Sequence, residues 1–172
     1  MTEQQFDRNT WQTPKYVFNA MNRKYRFDID GAADVKNALC EMYITKTEDI
    51  TDRRTQNRIP IGSRVWINPP YSDPMPFVRA AINLMTERDC VVVMLLPADK
   101  TTRWFKTALL SATEVIDVIG GRINFINPVT KKEVKGNNKG SMFVIFDPNN
   151  QHQVQGGVTL DFLKKRGDYD GK

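Results

Sequence analysis

A chain of 172 residues carries 25 Lys and Arg against 20 Asp and Glu, a formal charge of +5, with 40% apolar and 26% charged residues. That is the make-up of one soluble globular domain with a real core, and no apolar run approaches the roughly 18–20 residues of a membrane span. Two cysteines, Cys40 and Cys90, argue against a disulfide framework or a four-cysteine zinc site, and a lone His152 argues against a multi-histidine metal centre or histidine-based catalysis.

So few cysteines make a reducing cytoplasm the expectation, and the opening M-T-E-Q-Q-F-D-R-N-T lacks the basic and apolar regions of a secretion signal. Residues 14–25 suit a helix, with Thr13 as N-cap, Pro14 at the first position, and Val17, Met21 and Tyr25 on one face. R-F-D-I-D-G-A-A-D predicts a short strand with Phe27 and Ile29 on one side, turning at Gly31; N-A-L-C-E-M-Y suggests a short helix. From Ile44 to Ser63 the chain is polar, broken at Pro60 and Gly62, and carries no clear pattern. Val65-Trp66-Ile67 is a strand, Asp73 or Pro74 opens a helix over F-V-R-A-A-I-N-L-M, and C-V-V-V-M-L-L is a buried strand stopped by Pro97. Thr101 or Thr102 caps a helix over R-W-F-K-T-A-L-L, E-V-I-D-V-I is a strand, G-G-R a turn, I-N-F-I a candidate continuation, and S-M-F-V-I-F-D the last strand. The closing R-G-D-Y-D-G-K has the composition of a frayed tail.

Alternating strands and helices favour an open, mostly parallel sheet with helices on both faces. Ligands of such sheets bind beyond the carboxyl ends of the strands. D-G-A-A-D, N-P-P-Y and P-A-D all fall at those ends, three unusual segments on one rim. Neither a phosphate-binding loop of the G-x-x-x-x-G-K type nor a G-x-S-x-G elbow occurs, so the chemistry must need few titratable groups.

Methyl transfer from a sulfonium donor is such a chemistry, because the donor carries its own leaving group and the protein mainly positions two reactants. Asn68-Pro69-Pro70-Tyr71 then acquires a use. The adenine amino group is a weak nucleophile because its lone pair is conjugated with the ring. An Asn68 side-chain oxygen and a main-chain carbonyl of the Pro-Pro segment can accept hydrogen bonds from its two N–H groups and turn the lone pair toward the methyl group. Tyr71 can stack on the base.

The chain resembles the phage-type Dam family of DNA N6-adenine methyltransferases. The matching segments are W-Q-T-P (11–14), F-D-I-D-G-A-A-D (27–34), V-W-I-N-P-P-Y-S (65–72), L-L-P-A-D (95–99), R-W-F (103–105), G-G-R-I-N-F (120–125) and F-V-I-F (143–146). The resemblance implies a Rossmann-like class I methyltransferase fold with an antiparallel last strand, and one domain over 1–172, its catalytic core about 11–147 with a C-terminal extension 148–172. It implies S-adenosyl-L-methionine as donor, double-stranded DNA as partner, no metal, a GATC-like target, and a phage or prophage protein working in the host cytoplasm. Asn68, Pro69, Pro70 and Tyr71 would form the catalytic loop. Trp11, Thr13 and Pro14 would help enclose the donor, with Asp30, Ala32 and Asp34 where broader methyltransferases carry F-x-G-x-G, a motif missing here. Asp49 is a candidate for the donor's adenine or ribose, and Asn68 borders the donor as well.

Other residues carry plainer readings beside the functional ones. Trp66, Trp104 and Phe105 are expected to pack the interior, Cys40 and Cys90 to be buried, and Asp99 is equally a helix cap or a site residue. Two basic groups, Arg53, Arg54, Arg58 and Arg64, then Lys131, Lys132, Lys135 and Lys139, fall in expected loops where they could meet phosphates, with Arg122 on the rim. Asn137 and Asn138, or Gln56 and Asn57, could read base edges. Because N-P-P-Y is shared with enzymes that methylate RNA guanine or protein glutamine, those substrates form a second reading, and a DNA-binding protein without turnover a third.

Overall fold

The computed structural model describes residues 7–171. After a 3-10 turn at Arg8–Thr10 come α1 (Lys15–Tyr25), β1 (Ile29–Ala33), β2 (Met42–Thr45), α2 (Arg53–Arg58), β3 (Arg64–Ile67), α3 (Met75–Arg88) and β4 (Val91–Pro97). Then follow α4 (Arg103–Leu109), β5 (Glu114–Ile119), β6 (Ser141–Phe146), β7 (Val154–Thr159) and α5 (Leu160–Arg166). The strands form one seven-stranded sheet in the order β2-β1-β3-β4-β6-β5-β7. β6 runs antiparallel to both its neighbours, and the remaining pairings are parallel. This is the expected class I methyltransferase architecture.

Period-two alternation sends the central strands' side chains into two cores. Val65, Ile67, Val92, Met94 and Leu96 face one side with residues of α3 and α4. Trp66, Val93 and Leu95 face the other, with Val17, Phe18 and Met21 of α1 and Leu160 and Leu163 of α5. Because both faces are covered, β4 must be apolar throughout, which is why it is so legible. Trp66 is fully buried, in edge contact with Phe18 and tilted against Phe27 and Phe143. Phe105 is core, Trp104 packs beside it, and Cys90 is buried while Cys40 is half-buried.

Several local expectations are corrected. Gly31 lies inside β1 rather than in a turn: a Cβ there would come within 2.6 Å of Ile50 Cδ1, so any side chain at this position would force the Ile50 tip to move. The segment 37–43 is not helical; a turn leads into β2, whose parallel pairing with β1 outweighs a weak helical pattern. Thr13 is not the N-cap of α1, since Pro14 holds that place and no side chain caps it. The arginines at 53 and 54 are helical, not in a loop, and Gln56 is buried with Nε2 donating to the Ile50 carbonyl, so it cannot read bases. After the antiparallel strand the chain adds β7 and α5, and Gly167 and Asp168 of the expected tail are docked on α1. Thr102 caps α4, while Asp99 accepts from the Thr101 N–H and hydroxyl.

Candidate active site

From β1 the chain moves outward to β2, then returns across β1 to β3. The direction of winding thus reverses between β1 and β3, where doubly wound sheets leave a crevice at their carboxyl ends. The two strands pair only through Ile29 with Val65 and Asp30 with Trp66, and diverge beyond. β3 itself stops pairing with β4 at Ile67 and Met94. The next three residues are Asn68, Pro69 and Pro70; the prolines have no N–H to extend the ladder. Their carbonyls lie outside it.

A cleft of ≈ 1560 Å³ opens on this rim, above the roughly 300–1,000 Å³ of a single small-ligand site. Trp11, Thr13, Pro14, Asp30, Ala32, Asp34, Asp49 and Asn68 all line it, so the sequence-derived donor residues converge in one place. A second, much smaller cavity adjoins it, walled by Arg8, Trp11, Asn68, Pro69, Tyr71 and Phe125. Asn68 and Trp11 border both. The aromatic wall is continuous: Trp11 stacks on Phe125 with centroids 6.1 Å apart, and Tyr71 meets Phe125 edge-on at 5.7 Å.

Asn68 Nδ2 donates to Thr13 Oγ1 at 2.9 Å, while its buried Oδ1 has no partner. A buried amide oxygen without a donor costs about 1–3 kcal/mol, and Asn68 borders both cavities, from which an incoming N–H can reach it. Two further buried atoms without hydrogen-bond partners, Tyr71 Oη and Ser141 Oγ, lie behind the same loop. Burial pushes the Tyr71 phenol well above its ordinary range, so Tyr71 stays neutral. Its hydroxyl is sealed in while the residue as a whole is only half-buried.

The acidic residues of the cleft differ in kind. Asp30 is buried, and desolvation raises its pKa despite the N–H groups of Leu39 and Ala32 that it accepts at 3.0 and 3.3 Å. It shapes the loop over 34–39. Asp34 accepts from the N–H groups of Lys36 and Asn37. Asp49, with φ of 56°, accepts from the Thr51 N–H and hydroxyl on the cleft's β2 side. Among the described residues no group of three or more His, Cys, Asp or Glu could hold a metal ion, and no helix is long and apolar enough to cross a membrane.

The DNA N-6-adenine-methyltransferase (Dam) family matches this sequence over residues 2–169. The chain belongs to that family. Among curated relatives of this Dam protein, the DNA N-6-adenine-methyltransferase of Haemophilus phage HP1 (strain HP1c1) is 36% identical over 165 residues, 94% of this chain and 92% of the relative. The enzyme of the same name from Escherichia phage T1 is 36% identical over 163 residues, 86% of this chain and 66% of the relative.

Of the Dam chain's expected phosphate-binding residues, only some share the rim. Gln12 and Glu133 both bridge to Ile126, one on each side of it, so residues 126–133 form a hairpin beside the cleft. Lys131 lines the cleft and donates to Gln12 Oε1 at 3.4 Å, and Lys132, Lys135 and Lys139 are exposed. Arg122 donates to the Asn137 carbonyl, and Asn137 Nδ2 donates to the Ile123 carbonyl, so that amide holds the loop together. Arg53 instead pairs with Glu87, next to last in α3 and so at the end away from the catalytic loop; Arg54 follows it on the same short helix. Arg8 was not singled out from sequence. It sits over Trp11 at 5.7 Å and donates to Asn138 Oδ1, while neighbouring Asn9 accepts from the Ser72 N–H. Phe125 and Ser141 were also missed as site residues: Phe125 closes the G-G-R-I-N-F segment and Ser141 opens β6, but both reach the site only through the fold.

Proposed function

We propose that this protein transfers a methyl group from S-adenosyl-L-methionine to the N6 amino group of adenine in double-stranded DNA, with GATC as target, and that residues 1–172 act as one methyltransferase domain. The observation that carries the reading is the partnerless Asn68 Oδ1 between an open cleft and an aromatic cavity. Bound donor supplies a methyl on a sulfonium whose thioether is the leaving group. Asn68 Oδ1 accepts a hydrogen bond from one amine N–H and a carbonyl of Pro69 or Pro70 accepts one from the other, and a single proton leaves to solvent once the nitrogen is methylated. Thr13 holds the amide from behind, which leaves the oxygen free for substrate. Tyr71 and Phe125 offer ring surfaces to the base. Asp49, Asp34 and the Asp30-shaped loop border the nucleoside side of the cleft.

Charge supports the same division. The cleft is lined by eight carboxylates against four lysines, in a chain of net charge +5. A cationic donor suits such a lining, and DNA phosphates suit the lysine hairpin beside it. Incubating purified protein with donor and unmethylated DNA, followed by modified-base sequencing, tests acceptor and target together. N6-methyladenine at GATC is expected. Methyl label entering RNA or protein but not DNA would reverse the choice of substrate, and N6-methyladenine in another motif would remove GATC alone.

A further inference from the structure

Residues 167–170 leave α5 and run back along α1. Gly167 packs so closely on the first turn of α1 that a Cβ there would lie 1.9 Å from the Tyr16 carbonyl oxygen. Asp168 pairs with Arg23, and the Tyr169 N–H donates to the Lys164 carbonyl at 2.9 Å. The Tyr169 ring meets that of Tyr16 edge-on, with centroids 5.0 Å apart. Anchors at three successive residues fix this segment.

On its other side Tyr169 meets the hairpin. Its phenol faces the Glu133 carboxylate, which raises the phenol's pKa and itself accepts from Asn124 Nδ2 at 3.3 Å. Glu133 and Tyr169 line the large cleft together with Asp30, Thr13 and Asn68, yet the methyl-transfer geometry leaves both unused. They come from chain segments far apart in sequence, so their pairing at one wall is a product of the fold. A carboxylate beside a phenol oxygen is an acceptor pair for a small cation with several N–H donors. The donor read into this cleft carries one, the ammonium of its amino-acid end.

We propose that Glu133 and Tyr169 form the acceptor subsite for that ammonium, with the docked C-terminal segment as the wall that carries it. This rests on reading the large cleft as the donor site. Calorimetry on the full chain would compare S-adenosylhomocysteine, which has the amino-acid end, with 5′-methylthioadenosine, which lacks it. Glu133→Gln keeps the shape and removes the charge; Tyr169→Phe keeps the ring and removes the hydroxyl. Expected for Glu133→Gln is a loss of about ten-fold or more in S-adenosylhomocysteine affinity, with a smaller loss for Tyr169→Phe. Affinity for 5′-methylthioadenosine should stay within about two-fold in both, as an intact nucleoside site requires. An unchanged S-adenosylhomocysteine affinity in Glu133→Gln, or equal losses for the two ligands, would overturn the subsite. Failure of the unsubstituted protein to bind S-adenosylhomocysteine would instead remove the donor-site reading, and the subsite with it.

Discussion

Asn68 separates two tasks that its side chain performs at once. The amide nitrogen is tied to Thr13, and the buried oxygen has no protein partner. An alanine at 68 should lower turnover by at least about 10²-fold, in the range seen when one transition-state hydrogen-bonding group is removed. DNA affinity should stay within a few-fold, which a filter-binding assay would check; parallel loss of both would favour a binding protein without turnover. Thr13→Ala leaves the oxygen in place but loosens the amide, and a loss of about ten-fold in kcat is expected from one hydrogen bond. Asp30 permits a pH test. Its pKa is raised by burial, so the ionised form is the unfavourable one in the fold, and wild-type stability gains as pH falls from neutral toward the ordinary carboxylate value near 4. Melting curves of wild type and Asp30→Asn between pH 7 and 4 should therefore shift relative to each other in favour of wild type on acidification. A constant difference would mean that Asp30 does not titrate in this way.

Elements were legible in proportion to how far their own residues decide them. β4, buried on both faces, declares itself as an unbroken apolar run, and α1 and α3 by helical spacing. β2 and β7 are short or polar edge strands that exist because a neighbouring strand offers a ladder, and nothing within M-Y-I-T or V-Q-G-G-V-T announces that neighbour. α5 and the segment after it follow the same logic. The composition of the closing segment suggests fraying, while Gly167 shows a backbone pressed against α1 at a distance only glycine allows. Gly167→Ala should cost about 1–3 kcal/mol through overpacking against backbone that cannot yield. Limited proteolysis should then cut after α5 in the variant and not in wild type; equal resistance would mean that the docking is not needed.

Across the whole molecule, charge is sorted by the fold. The acidic cleft and the lysine hairpin lie side by side on one rim, while Arg53 is drawn to the far end of α3 by Glu87. Replacing Lys132, Lys135 and Lys139 together by alanine should reduce the slope of log affinity for DNA against log salt by about 0.9 for each phosphate no longer neutralised. The corresponding change at Arg53 and Arg54 should leave that slope nearly untouched. Equal effects of the two sets, in a titration across salt concentrations, would place the arginines on the DNA face after all.

The chemistry at the end of β3 is written in the chain alone. A strand that runs into Asn68-Pro69-Pro70-Tyr71 must leave an amide and free carbonyls at its tip, because proline cannot continue a ladder. The alternation of core strands and helices follows equally from their apolar periodicity. It took the folded arrangement to establish that Thr13 serves Asn68 rather than capping α1, that Phe125 and Ser141 stand behind Tyr71, and that Glu133 meets Tyr169. Those relations join residues distant in the chain, and a pairing across space leaves no local period for a sequence to display.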